Sequence, residues 1–275
     1  MTAVRLLALD LDGTVLTPDL RMSQRTVTAV AAAQARGVRV VIATGRMYRS
    51  TLRYGQMLHL PGPLICYQGG YIREMPARDG TPGELLVHRQ MPAEAARAAI
   101  AWSRDHGLDP HLNIGDRLLI GRGPEVTSDY ERMAGVGPEY VSDLIAAIDG
   151  PVTKVLAVGA PGLPDEVLAA ARLMFDGRLE ATVSHPEYLE FTPLGVTKGS
   201  GVAFLADRLG IPMSAVMAVG DQSNDLEMLR DAGLGVAMGD APAGVRAAAD
   251  EVTGTVADDG AAEAIERHIL GVAAR

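Results

Sequence analysis

Lysine is nearly missing from this chain: of 25 Lys and Arg residues among 275, only Lys154 and Lys198 are lysine. Asp and Glu number 34 and the formal net charge is −9. A chain with no basic surplus lacks the footprint that a nucleic-acid backbone requires, so nucleic acid is excluded as an expected partner. One cysteine, Cys66, rules out an internal disulfide and reads as a small core residue. The six histidines are scattered at spacings that suggest no zinc site, so any metal would be held by oxygen. No apolar run approaches the ~18 residues of a membrane span, and no basic stretch leads into an apolar one near Met1. The expected location is cytoplasmic. A length of 275 residues permits two modest domains.

What the chain does contain begins at Val4–Thr17, VRLLALDLDGTVLT. Leu6 to Leu9 form a short continuous apolar run, the pattern of a parallel strand covered on both faces. Asp10 and Asp12 follow where the run ends. Two residues apart, they can point to the same side, and ligands of open α/β sheets bind outside the carboxyl ends of strands. Gly13 allows backbone conformations closed to other residues, and Thr14 adds a hydroxyl. Asp-Gly is also an ordinary turn signal, so the rest of the chain has to decide.

Ser23 to Gly37 reads as a helix capped by Ser23 and stopped by Gly37. Val38 to Ala43 reads as a second strand, which gives a βαβ unit. Thr44-Gly45-Arg46 stands at its carboxyl end, level with Asp10. A hydroxyl and backbone N–H groups there suit a phosphate oxygen, although the tripeptide could also be a plain strand-to-helix turn. Leu64 to Tyr67 is a third buried strand, followed by Gln68-Gly69-Gly70, and Glu84 to Gln90 a hairpin strand. From Met91 the texture changes. A helix is expected over Pro92–Gly107 with Trp102 on it, then a hairpin over HLNIGDRLLIG, a strand Lys154–Val158, a helix DEVLAAARLMFDG and a strand Ala181–Glu190. None of these strands is tipped by acids. Lys154 is expected to be solvated or paired. After this insert, GVTKGSGV opens a helix reaching about Leu209, and it lacks the spacing of a P-loop. A cation at a helix N-terminus is slightly unfavourable, so Lys198 asks for a function. The strand Ala215–Val219 then delivers GDQSND, with Asp221 at its tip and a helix from Asp225 to Ala232.

DLDGT, ATGR, the Lys198 segment and GDQSND resemble, in order, the four motifs of the haloacid dehalogenase superfamily, in its Cof-type, subfamily IIB branch. Two positions depart from that branch: Gln68 stands where Asn is usual before Gly, and so does Asp240. The resemblance implies a Rossmann-like parallel α/β core, residues 1–90 and 190–275, interrupted by an α+β cap of the C2B type over 91–189. It implies a Mg²⁺-dependent phosphatase of small phosphorylated metabolites, such as sugar phosphates or phosphorylated cofactors, acting as a monomer or homodimer. Asp10 would be the nucleophile and Asp12 the acid and base. Thr44, Gly45, Lys198 and Asn224 would hold the phosphoryl group. Crowded carboxylates raise one another's pKa unless a cation intervenes, and Mg²⁺ takes oxygen ligands. Asp10, Asp221 and the Asp12 carbonyl are the expected ligands, with Asp225 supporting them directly or through water. Arg46 and the cap residues His111, Asn113, Ser184, His185 and Tyr188 are candidates for contact with the leaving group. A phosphomutase shares these motifs, and a phosphometabolite-binding regulator without turnover is the alternative outside enzymology. Dehalogenation would leave Asp12 without a purpose.

Overall fold

In chain order the strands are β1 (Leu6–Leu9), β2 (Arg39–Ile42), β3 (Leu64–Cys66), β4 (Tyr71–Arg73), β5 (Leu85–His88), β6 (Asp109–Ile114), β7 (Arg117–Ile120) and β8 (Glu139–Tyr140). They continue with β9 (Val152–Val158), β10 (Leu179–His185), β11 (Tyr188–Pro193), β12 (Val216–Gly220), β13 (Leu234–Ala237) and β14 (Glu251–Val252). The helices used below are α1 (Gln24–Ala35), α2 (Tyr48–Met57), α3 (Ala93–Asp105), α4 (Asp165–Met174), α5 (Lys198–Arg208), α6 (Leu226–Asp231), α7 (Ala243–Arg246) and α8 (Gly260–Ile265). These come from a computed structural model that describes residues 3–121, 134–159, 162–185 and 187–272.

All four residues of β1 are buried, as a strand without a polar position requires. It lies inside a parallel sheet of order β14-β13-β12-β1-β2, with Leu6 opposite Val216 on one side and Arg39 on the other. An Ala43–Ile65 bridge carries the sheet to β3, which turns back through antiparallel β4 and β5. Successive side chains of β1 go to opposite faces. Leu7 and Leu9 join Val30 and Ala33 of α1 and Ala261 and Ile265 of α8. Leu6 and Ala8 join Val202 and Leu205 of α5 and Met228 of α6. Helices therefore cover both faces, the α/β arrangement expected. Ser23 caps α1 by accepting the Thr26 N–H, and Thr197 caps α5 in a capping box with Ser200.

A second sheet, β10-β11-β9-β6-β7-β8, is antiparallel except where β7 meets β8. Its outer face is closed by α3 and α4, where Trp102, Phe175 and Phe191 pack edge to face. Strand period places Val155, Ala157, Leu189 and Phe191 in that cluster. The alternate residues Lys154, Leu156, Tyr188 and Glu190 turn toward the parallel sheet. Strand β7 splits the same way, Leu119 going outward while Leu118 and Ile120 join the core cluster around β1. The single strand expected over Ala181–Glu190 is two strands, β10 and β11, paired antiparallel with His185 opposite Tyr188. His-Pro-Glu between them is turn chemistry that an apolar-run reading passes over; Pro186 itself lies outside the described residues.

Candidate active site

The acids converge because their strands are neighbours in register. Asp10 leaves β1 with its N–H on the carbonyl of Val219, the last residue of β12 before the Gly220-Asp221 tip. Lys198, the first residue of α5, reaches across and donates to Asp10 Oδ1 at 2.5 Å and to Asp225 Oδ1 at 2.7 Å. Asp225 Oδ2 accepts the backbone N–H groups of Asp221 and Gln222 at 3.0 and 2.9 Å. Both its oxygens are thus engaged by the protein. Asp221 accepts from the Thr14 hydroxyl and the Gln222 amide, each at 3.1 Å. Gly13 makes room for this: its φ is +80°, and a Cβ there would fall against the Asp221 carboxylate.

Asp10, Asp221 and Asp225 are all buried and offer carboxylate oxygens within 4.8 Å of one another. Burial, then the charge of Asp225, pushes Asp10 well above the usual carboxylate range, with Lys198 offsetting part of it. Burial and Asp225 likewise raise Asp221 to about 6. For Lys198 burial opposes the charged form, but Asp10 and Asp225 more than offset it and the ammonium is held above its ordinary pKa. One lysine against three acids leaves negative charge unbalanced, and a set of hard oxygen donors of this size fits a divalent cation such as Mg²⁺.

Asp12 stands across from this cluster, gripped by Arg46. Nε donates to Oδ2 and Nη2 to Oδ1, both at 2.6 Å. Thr44 is buried, and its hydroxyl accepts the Arg46 N–H at 3.2 Å, so its own proton is available to a ligand. These groups and the inner face of the second sheet enclose a cavity of about 260 Å³. Leu156, Ser184, His185 and Tyr188 form its far wall.

A buried ion pair joins the two halves. Lys154 Nζ donates to Glu190 Oε1 at 3.1 Å and to the Gly45 carbonyl at 2.9 Å, so the second sheet is bonded to the Thr-Gly-Arg turn. Ser184 donates to the same Glu190 oxygen at 2.6 Å. Gln68 completes the link: its Nε2 donates to Glu190 Oε2 at 2.9 Å, and its Oε1 accepts from Asn224 Nδ2 at 3.1 Å. Tyr67 and Gln68 have φ of 51° and 58°, a left-handed conformation costing non-glycine residues about 1 kcal/mol each. Nearby, Asp116 at the β6–β7 turn accepts the N–H groups of Tyr48 and Arg49 at 3.0 Å each and the Tyr67 hydroxyl at 2.8 Å. It thereby caps α2, whose own preceding residue, Met47, makes no side-chain cap.

The expected residues Asp10, Asp12, Thr44, Gly45, Arg46, Lys198, Asp221 and Asn224 all line the one cavity, while Asp225 lies fully buried behind it. Ser184, His185 and Tyr188 line it too. His111 and Asn113 do not: they stand opposite Leu156 and Lys154 in β6, buried in the sheet. Lys154 is paired, not solvated. Glu190, Gln222 and Asp116 went unread in the sequence. Glu190 carried a signal, an acid between Leu189 and Phe191 in a strand whose alternate positions are apolar.

Comparison with known proteins agrees with this geometry. The family model for haloacid dehalogenase-like hydrolases matches residues 7–265. The chain is 30% identical over 269 residues to the 5-amino-6-(5-phospho-D-ribitylamino)uracil phosphatase YcsE of Bacillus subtilis, covering 97% of this chain and 96% of that one. It is 29% identical to the pyridoxal phosphate phosphatase YbhA of Escherichia coli, covering 97% and 99%. A crystal structure of a haloacid dehalogenase-like hydrolase from Bacteroides thetaiotaomicron superposes with a TM-score of 0.82 at 29% identity, over 96% of this chain and 99% of that one. On the strength of that match and of the acids its fold gathers, the chain belongs to the haloacid dehalogenase-like hydrolases, among the family's phosphatases.

Proposed function

We propose that the protein hydrolyses small phosphorylated metabolites through a phosphoryl group carried on Asp10. The observation that supports this most directly is the pairing of two carboxylates with opposite environments in one cavity. Asp10 is buried and held by an ammonium, whereas Asp12 is partly open and held by a guanidinium. Asp10 attacks phosphorus in line, the bond from phosphorus to the ester oxygen breaks, and Asp12 gives that oxygen a proton. Water then attacks the phosphoryl group on Asp10 with Asp12 taking its proton. The Thr44 hydroxyl and the Gly45 N–H receive the phosphoryl oxygens. Lys198 holds the nucleophile in place and offsets its charge.

In this reading Asp10, Asp221 and the Asp12 carbonyl hold Mg²⁺, which neutralises the carboxylates and the phosphate so that they can approach. Asp225, with both oxygens occupied, orients Lys198 and the Asp221 loop instead of ligating. Arg46 holds Asp12 by both carboxylate oxygens until a phosphate dianion offers the guanidinium another partner, which frees Asp12 to carry a proton.

In this reading residues 1–90 and 194–275 act as the core and 91–193 as a cap closing over it, since the expected boundary at 189 would cut β11, which pairs along its whole length in the second sheet. Support comes from the separate apolar cluster of the second sheet and from the polar wall it turns to the acids. A cavity of about 260 Å³ suits one small metabolite. The substrates named for the two relatives, a phosphoribitylamino-uracil and pyridoxal phosphate, set the range to screen. The deciding assay is phosphate release from an aryl phosphate with Mg²⁺ by the purified protein and its Asp10→Asn variant. No release by the parent, or equal release by both, would overturn the reading.

A further inference from the structure

We propose that Gln68 is a positioning residue that transmits the seating of the cap's ion pair to Asn224, an inference that rests on the phosphatase reading above. The argument is one of hydrogen-bond polarity. Glu190 serves as an acceptor here, taking the Lys154 ammonium and the Ser184 hydroxyl at Oε1, so the Gln68 group facing its Oε2 is the NH₂, at 2.9 Å. The other end of the same amide is then its oxygen, and the Asn224 group facing that oxygen must be NH₂, at 3.1 Å. This leaves Asn224 Oδ1 as the end of the relay, and it is buried with no protein donor. Asn224 lines the cavity, so the relay fixes how its amide is turned there, with Oδ1 held away from the open space. Nothing local to Asn224 makes that choice; it originates in Glu190, 34 residues earlier and on the cap's inner face.

Three observations make the relay a built feature. Gln68 is 2% exposed and held in a left-handed backbone conformation beside Tyr67, which a residue free to move would abandon. Its amide crosses directly over Gly45, where a Cβ would come within 2.5 Å of Nε2, so the Thr-Gly-Arg turn is shaped to let it pass. Lys154 binds the Gly45 carbonyl beneath while bonding Glu190, so the same ion pair reaches the turn from one side and Gln68 from the other. The chain's departure from the usual Asn at position 68 acquires a reason. Gln is one carbon longer, and that reach spans Asn224 and Glu190 together.

The test reverses the polarity and then restores it. Gln68→Glu keeps the acceptor for Asn224 but sets a carboxylate against Glu190. Glu190→Gln removes the obligatory acceptor and lets the relay flip. The two together rebuild a donor-to-acceptor contact and keep the net charge of the pair, with the carboxylate moved from position 190, beside Lys154, to position 68. In the full-length protein with Mg²⁺ and p-nitrophenyl phosphate, each single change should lower kcat more than it raises KM. The pair should recover roughly tenfold or more over the worse single variant. Hydrogen exchange in peptides spanning 44–50 and 184–192, read without turnover, should rise in Gln68→Glu and return toward the parent in the pair. Single variants that match the parent in both readouts, or a pair no better than its worse member, would overturn the coupling. A parent that releases no phosphate, yet shows the exchange pattern, would leave the relay standing and remove the phosphatase reading instead.

Discussion

Arg46 holds Asp12 by both carboxylate oxygens, Nε to Oδ2 and Nη2 to Oδ1 at 2.6 Å each, and so fixes where that acid points before any ligand arrives. A planar fork is needed for a two-point grip, and an ammonium cannot supply one. Arg46→Lys should therefore lower kcat for an aryl phosphate by roughly 10- to 100-fold, the loss expected when a reacting group is misplaced. Arg46→Ala should do no worse than about the same. If Arg46→Lys keeps the parental kcat, the grip has no catalytic consequence.

Asp10 and Asp12 should fail in different ways. On the proposed mechanism Asp10→Asn would remove the nucleophile and one residue assigned to the metal, so no phosphoenzyme should form and turnover should stop. Asp12→Asn keeps the nucleophile but loses acid and base. With p-nitrophenyl phosphate, whose leaving group needs little protonation, the first step should outrun hydrolysis and the phosphoryl group should accumulate. Rapid quench and peptide mass spectrometry should locate it on Asp10; another location would end the mechanism.

The crowding of acids should appear as a pH dependence of stability. Asp221 is raised from 3.8 to about 6, and Asp10 is displaced in the same direction. Folded, metal-free protein then holds protons that the unfolded chain has already released, so its stability falls as pH rises through the window from about 4 to about 6. For Asp221 that loss is complete by neutral pH, where a divalent cation can replace the proton. Melting of the metal-free protein should come higher near pH 5 than near pH 7.5, and Mg²⁺ should raise it more at the higher pH. Equal Mg²⁺ shifts at both would contradict the assignment.

Much of this site could be read before any fold was known, and the reason is local. Asp10, Asp12, Thr44 and Asp221 each end an apolar run, so strand period and the rule for sheet ends locate them without knowledge of the fold. Lys198 declared itself by standing where a helix disfavours it. Asp116 offered no such cue, and Gln68 and Glu190 offered only an oddity without a meaning, since what they do lies in contacts 49 to 156 residues away. The β10–β11 hairpin was missed because its two halves are both partly apolar and only the two residues Pro-Glu stand between them in the sequence. His111 and Asn113 share the inner face with Leu156 and Lys154 but lie outside the cavity lining, a distinction that strand period alone does not draw.

Asp116 supplies the α2 cap from the far side of the cavity, so its loss should be felt as stability. Asp116→Ala leaves the Tyr48 and Arg49 N–H groups without a partner and should cost about 1 kcal/mol in urea unfolding, with Asp116→Asn losing less. Both variants unfolding like the parent would show that the tip of the β6–β7 turn does not anchor the cap.

The two lysines of this chain, 3% and 2% exposed, both face the enclosed space between the sheets. An amine-reactive label should therefore find, among lysines, nothing to modify while the halves are together, and a surface rich in arginine will not compete for it. Lys198, kept protonated by its two acids, should be the slower to react even when exposed. The extent of labelling at Lys154 then reports the fraction of time the protein spends open, in a preparation that needs no engineered probe.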